Sequence, residues 1–238
     1  MSLPFFYIEN LQSEQNEIVL DEENSKHIVQ VLRMKKGEKL NLTDGKGNLI
    51  AAEIIDDHKK HCGVKVDNTK HVGQGTRKIS IGISLLKNSS RFEWFLEKVT
   101  ELGVSEIIPL ICDRTEKQKF RGDRMKNILV SAMLQSQQCW LPVLHTPIDY
   151  ELLFRQQDTI NTSQKFIAHC LIDAKRNLTD LVNETLPSQI ILIGPEGDFT
   201  KDEVELAKQN HFMSVALGEN RLRAETAGVI AATLLKII

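Results

Sequence analysis

The hydrophobic pattern changes period near residue 72. Before it, apolar residues come in short runs at strand spacing: Phe5–Ile8, Ile18–Leu20, Leu40–Thr43, Leu49–Ile55 and Val64–Val66. Asp44-Gly45-Lys46-Gly47-Asn48 separates the third run from the fourth and predicts a hairpin. One helical pattern interrupts the strands, Ser25–Arg33, with Ile28, Val31 and Leu32 on its inward side. The first 72 residues thus read as a small barrel. His71-Val72-Gly73-Gln74-Gly75-Thr76 places two glycines between two β patterns and reads as a linker.

Beyond the linker, strands alternate with helices, the mark of an α/β unit with a mostly parallel sheet. The predicted strands are Ile79–Leu86, Glu106–Ile111, Phe166–Ile172, Gln189–Ile193 and Phe212–Leu217. A helix follows the first strand, with Ser90 and Glu93 spaced as a capping box and Gly103 as its stop. Its core stripe is Phe92, Phe95, Val99 and Leu102; Arg91, Trp94, Lys98 and Glu101 share another face, either a solvated salt-bridging one or a functional one. Arg114, Lys117, Lys119, Arg121, Arg124 and Lys126, against Glu116 and Asp123, form a basic loop running into a helix. Charge at that density suits phosphate contacts. Asp158–Gln164 reads as a loop.

The chemistry concentrates near the end of the chain. Ile190–Ile193 is a short buried strand broken by Gly194-Pro195-Glu196-Gly197-Asp198-Phe199-Thr200. Thr200 and Glu203 form a capping box, so a helix should begin at Lys201. Phe212–Leu217 repeats the scheme, with Gly218 breaking the strand before Leu222-Arg223-Ala224-Glu225-Thr226-Ala227. Two glycine-bearing loops at the carboxyl ends of adjacent strands make a ligand-binding edge. The last helix carries Ala224, Ala227, Gly228, Ala231, Leu234, Leu235 and Ile238 on one small apolar face. His169 lies in an apolar strand and reads as a packed or pocket histidine. The usual phosphate-loop and dinucleotide fingerprints are absent.

The pair GPEGDFT and LGENRLRAETA resembles the cofactor region of the SPOUT methyltransferases, most closely the RsmE-type family that methylates N3 of a uridine in 16S ribosomal RNA. The likeness extends to HIVQVLRMKKGE in the first unit, Lys87 at a strand end, Lys98–Val104 on the helix and Ala132–Ser136. Asp198 and Gln138 depart from it, where the family has glycine and often arginine.

The resemblance implies a PUA-like RNA-binding domain over 1–72 and a trefoil-knotted SPOUT methyltransferase domain over 76–238. S-adenosylmethionine would lie against Ile193, Gly194, Pro195, Glu196, Gly197, Leu217, Gly218, Leu222, Arg223, Glu225, Thr226 and Ala227. Arg223 would stabilise charge on the uracil or grip its phosphate, and Glu196, Glu101 and Glu225 are the candidate bases. RNA would meet Arg33, Lys87, Arg91, Lys98, Arg114, Lys117, Lys119 and Arg121. The implied partners are 16S ribosomal RNA in the small subunit and a second copy of the chain, met near the small face of the last helix. A SPOUT enzyme of another RNA position and a non-catalytic RNA-binding or ribosome-assembly factor are the alternatives.

Composition narrows this further. A net charge of −2 excludes indiscriminate nucleic-acid binding, so any RNA contact rests on local basic patches. Cys62, Cys112, Cys139 and Cys170 are scattered, without a CxxC or a Cys/His cluster, so reduced thiols and no metal are expected. No apolar run approaches membrane-spanning length and the start lacks a signal-peptide pattern, which together point to a cytoplasmic enzyme.

Overall fold

Backbone contacts group the chain into two units, residues 1–74 with 133–141 and residues 75–132 with 142–238. The structure is a computed structural model that describes residues 3–9, 16–116, 119–171 and 175–237.

In the first unit β1 (Phe5–Tyr7), β2 (Glu17–Val19), β3 (Lys39–Thr43), β4 (Asn48–Asp56) and β5 (Gly63–His71) form a sheet in the order β1-β3-β4-β5-β2. β1 runs parallel to β3, and the other pairs are antiparallel. The predicted hairpin joins β3 to β4, where Asp44 closes the turn by accepting from Lys46 N at 2.8 Å and Asn48 Nδ2 at 2.7 Å. Alternate residues Leu40 and Leu42, Ile50, Ala52 and Ile54 are buried around Ile28.

The helix of this unit differs from the expectation. It starts earlier, as α1 (Glu22–Lys26) capped by Asp21, and widens into a π-helical turn over His27–Val31. The extra residue per turn rotates later side chains off the buried stripe. Ile28 stays fully buried, Val31 and Leu32 are 68% and 44% exposed, and Met34 enters the core in their place. His71 and Val72 belong to the sheet's edge, not to a free linker: Val72 N donates to Gly47 O at 2.8 Å.

The second unit begins β6 (Lys78–Ser84), α2 (Ser89–Glu101), β7 (Glu106–Ile111) and α3 (Gly122–Gln135), the end of α3 and the loop to Leu141 grouping with the first unit. β8 (Val143–Leu144), β9 (Ile148–Asp149), α4 (Tyr150–Leu153), α5 (Gln157–Asn161), β10 (Gln164–Ala168) and β11 (Arg176–Asn177) follow. β12 (Ser188–Ile193), α6 (Lys201–Gln209), β13 (Met213–Ala216) and α7 (Ala224–Ile237) complete it. The sheet order is β11-β13-β10-β12-β6-β7-β8, with β9 also on β7, and every pair is parallel among the described residues. Such a sheet is buried on both faces, which is why its strands read as continuous apolar runs. On β12, Ile190 and Leu192 join a core with Phe199, Val204 and Phe212.

Four expectations change here. β12 and β13 are not neighbours: β10 lies between them, because a parallel crossover can pass over an intervening strand and proximity in sequence does not fix adjacency. Within the predicted Asp158–Gln164 loop, Asp158–Asn161 belong to α5 and Gln164 opens β10, which leaves Thr162 and Ser163 as the connection; Thr159 is turned inward at 4% exposure. The predicted Phe166–Ile172 strand ends at Ala168, and Ile172 lies outside the described residues. At α2 the cap is Asn88, whose side chain accepts from Ser90 N at 2.9 Å; Ser90 sits inside the helix, and Glu93 instead receives Arg124 at 2.7 and 2.8 Å.

α7 lies on α2 and on β6. Its small face is filled from within the unit: a Cβ on Gly228 would come within 2.5 Å of the Phe95 ring, and Ala231 and Leu235 are fully buried. A second copy of the chain would therefore have to meet another side of α7. Ala227 and Leu234 are only partly buried, and Ile238 lies outside the described residues.

Candidate active site at the strand ends

Register brings three strand ends to one level. Ala168 of β10 pairs with Ile193 of β12 on one side and with Val215 of β13 on the other. The two motif loops, although separated by a strand, thus emerge at the same edge of the sheet, where ligands of parallel α/β sheets bind. Between them lies a cavity of about 820 Å³, lined by Ile193–Glu196, Val215–Ala224 and Ala227, and also by Ala168, His169, Cys170, Lys175 and Asp198.

Each loop shape has a local cause. Gly194 is pressed against Phe199, where a Cβ would stand 3.0 Å from the Phe199 nitrogen and ring. Phe199 is fully buried, so it anchors the loop to the core from below. Asp198 has φ +65°, and its amide closes a turn onto Pro195 O at 2.9 Å. This accounts for an aspartate where the family that the motifs resemble has glycine, because aspartate is among the few residues that visit the left-handed region readily. Its carboxylate accepts from Phe199 N at 2.9 Å and from Cys170 N at 2.7 Å, tying the β12 loop to the exit of β10. Thr200 and Glu203 make both bonds of the predicted capping box, and α6 begins at Lys201. In the second loop Gly218 takes φ +128°, and a Cβ there would meet nothing within 4 Å, so the glycine serves the backbone turn and leaves open space at the cavity.

Of the residues expected at the cofactor, Ile193, Gly194, Pro195, Glu196, Leu217, Gly218, Leu222, Arg223 and Ala227 line this cavity, and Gly197, Glu225 and Thr226 do not. Gly197 instead offers its carbonyl to Arg114 Nη1 at 2.6 Å. Glu196 accepts the Lys87 amide at 3.1 Å, joining the ends of β6 and β12, and the Lys87 ammonium lies 3.0 Å from Glu116. Arg223 is exposed, and its guanidinium has no hydrogen-bond or ion-pair partner among the described residues.

The three candidate bases stand in different places. Glu196 is exposed at the cavity wall. Glu225, 6% exposed, turns toward α2, where Arg91 Nε lies 3.7 Å from Oε1 and Oε2 has no partner among the described residues. Glu101 is 3.0 Å from Lys98, which also reaches Glu97 at 2.7 Å, and neither residue lines the cavity. Lys119 and Arg121 are exposed before α3, and Lys117 lies outside the described residues. Arg33 is exposed in the first unit with φ +58°, beside Lys35 and Lys39, which pair with Asp57 at 3.4 Å and Asp67 at 2.9 Å.

Sequence reasoning missed the wall contributed by the exit of β10. His169 is 7% exposed, and its Nε2 lies 2.9 Å from Ser214 Oγ of β13, the place of a pocket histidine. Asp198 was the available signal: an aspartate in a turn position that favours glycine can hold a second loop. A smaller cavity of about 480 Å³ opens at the other end of the strands, beside Glu106, His145 and Asp158. Burial there pushes the Glu106 carboxyl up, but His145 and Ser80, each 2.6 Å away, and the Lys78 ammonium outweigh it and hold the pKa at about 2. Among the described residues no group of three or more His, Cys, Asp and Glu side chains is placed to hold a metal, and no described helix is long and apolar enough to cross a membrane.

Comparison with known proteins bears on both units. Residues 74–236 match the model of the RNA methyltransferase domain, and residues 20–67 that of the RNA methyltransferase PUA domain. Ribosomal RNA small subunit methyltransferase E of Rickettsia conorii is 26% identical over 98% of this chain and 94% of its own. A probable rRNA-methyltransferase from Porphyromonas gingivalis superimposes with a TM-score of 0.89 at 33% identity, over 98% of each chain. Ribosomal RNA small subunit methyltransferase E of Neisseria gonorrhoeae, solved bound to S-adenosyl methionine, gives 0.86 at 27% identity over 98% of this chain and 96% of its own.

Proposed function

The chain belongs to the family of that RNA methyltransferase domain, and from this premise we propose an S-adenosylmethionine-dependent methyltransferase of small-subunit ribosomal RNA that modifies N3 of a uridine. The observation that carries the reading is the cavity at the ends of β10, β12 and β13, because both motif loops contribute to its walls. The lining suits the cofactor. Ile193, Leu217, Leu222 and Ala227 offer an apolar slot to an adenine, and the turns at Gly194 and Gly218 present main-chain donors and acceptors. When bound, S-adenosylmethionine supplies an electrophilic methyl group on a sulfonium.

The acceptor is a weakly acidic imide nitrogen, so the chain's task is to take its proton and to favour the charge left on the uracil. Of the three candidate bases we assign the proton to Glu196, supported by its position at the cavity wall, whereas Glu225 faces Arg91 and Glu101 faces Lys98. Arg223, exposed and unengaged at the cavity rim, serves the developing charge or the nucleotide's phosphate. Glu225 aligns Arg91, and Lys87, Arg91, Arg114, Lys119 and Arg121 offer cations to RNA phosphates. The first unit acts as a PUA-like RNA-binding domain through Arg33, and residues 76–238 form the methyltransferase domain. Support for a trefoil knot is the strand order, in which β13 lies outside β10 although it follows β12. We place the enzyme in the cytoplasm, as a homodimer acting on 16S ribosomal RNA within the small subunit.

Small subunits from cells lacking the protein, incubated with methyl-labelled S-adenosylmethionine and then digested, should yield labelled 3-methyluridine. Label in another nucleoside would keep the reaction class and overturn the N3 assignment. Absence of transfer to small subunits and to free ribosomal RNA alike would overturn the reading itself.

A further inference from the structure

We propose that Lys175 holds the carboxylate at the amino-acid end of the cofactor, an inference that rests on the functional reading above. Lys175 lies between β10 and β11, partly buried, in the wall of the larger cavity. Its ammonium donates to the His169 carbonyl at 2.6 Å and to the Leu171 carbonyl at 2.8 Å. The first acceptor directly follows β10, and the imidazole of the same residue lies 2.9 Å from Ser214 Oγ on β13, so the cation stands on framework from two strands. A lysine ammonium has three N–H donors, and two are spent on carbonyls. Among the described residues the third donor has no acceptor and no carboxylate pairs with the ammonium, and we assign that donor to the ligand.

A partly buried cation with no counter-charge among the described residues gains from an anion that enters beside it. The other cations of this cavity, Arg221 and Arg223, are exposed, where an RNA phosphate outside can meet them. Lys175 is the inner one. The cofactor carries one anionic group, its carboxylate; its sulfonium and amino group are positive and are repelled by a fixed ammonium. Binding the carboxylate at Lys175 therefore orients the molecule as well as holding it, with the sulfonium kept away from the lysine. Asp198 takes part indirectly, since its bond to the Cys170 amide fixes the stretch that supplies both carbonyls.

The test is calorimetric binding of S-adenosylmethionine and of its decarboxylated analogue to the full-length wild type, Lys175→Met and Lys175→Arg. Lys175→Met should weaken S-adenosylmethionine about tenfold or more and leave the decarboxylated analogue within about twofold, with Lys175→Arg in between. Retained binding of the analogue also shows that the variant is folded. Equal weakening of both ligands would assign the lysine to loop packing and overturn the proposal, as would unchanged affinity for S-adenosylmethionine. A wild type that binds neither ligand would overturn the functional reading instead, so the two failures are distinguishable.

Discussion

Gly228→Ala tests the packing that positions the last helix, because two effects of opposite sign compete at one residue. Alanine in a helix interior is favoured over glycine by about 1 kcal/mol. Against this, a Cβ at 228 would lie 2.5 and 2.8 Å from Phe95 ring carbons and 3.3 Å from Ile83 Cδ1. Phe95 and Ile83 are fully buried, so neither ring nor methyl has space to retreat, and overpacking of this kind costs about 2–3 kcal/mol. The net loss is about 1–2 kcal/mol, a fall in melting temperature of roughly 2–8 °C for a domain of this size. Thermal unfolding followed by circular dichroism reads it directly. Gly73→Ala is the control: no atom lies within 4 Å of its Cβ position, and its melting temperature should hold or rise slightly. The function should follow, since Ala224 and Ala227 on the same helix line the cavity and shift with it. A melting temperature of Gly228→Ala equal to or above wild type would refute the close approach of α7 to α2.

Other perturbations probe the Asp198 turn, the buried Glu106 carboxylate and the exposed Arg223. Asp198→Ala keeps the left-handed turn and loses two hydrogen bonds, so it should cost about 2–3 kcal/mol in denaturant unfolding, whereas Asp198→Gly trades the same bonds for a relaxed backbone and should cost about 1 kcal/mol or less. Glu106, held at about 2 against an ordinary 4.5, contributes stability in full above pH 4.5 and loses it as pH falls through 2. Its share is on the order of 3 kcal/mol, and Glu106→Gln should flatten that limb of the stability–pH curve; an unchanged limb would remove the assignment. Arg223→Ala should lower the methyl-transfer rate by about 100-fold or more, with cofactor affinity within a few fold; an equal loss in both would make it a cofactor-binding group alone.

Much of the site was legible because its causes are local. The Thr200–Glu203 cap, the breaks at Gly194 and Gly218 and the apolar runs before them depend on residues within a few positions of each other. What could not be read depends on distance. Nothing in the chain's periodicity places β10 between β12 and β13, and with that order hidden the exit of β10, including His169 and Lys175, had no visible connection to the motif loops. Pairings across the sheet were equally hidden: Glu225 reads as a first-turn carboxylate, and only the packing of α7 on α2 turns it to Arg91. In the first unit the period itself misled, since Val31 and Leu32 fit a helical stripe that the π-turn rotates away.

The cavity at the carboxyl ends of β10, β12 and β13 is the proposed seat of the cofactor. Hydrogen–deuterium exchange with and without S-adenosylmethionine addresses it most directly, because the cavity at this end and the smaller one beside Glu106 are walled by different segments. Slowed exchange at residues 168–171, 193–199 and 216–227, with residues 145–162 unchanged, is the predicted result. Protection confined to residues 145–162 would contradict it.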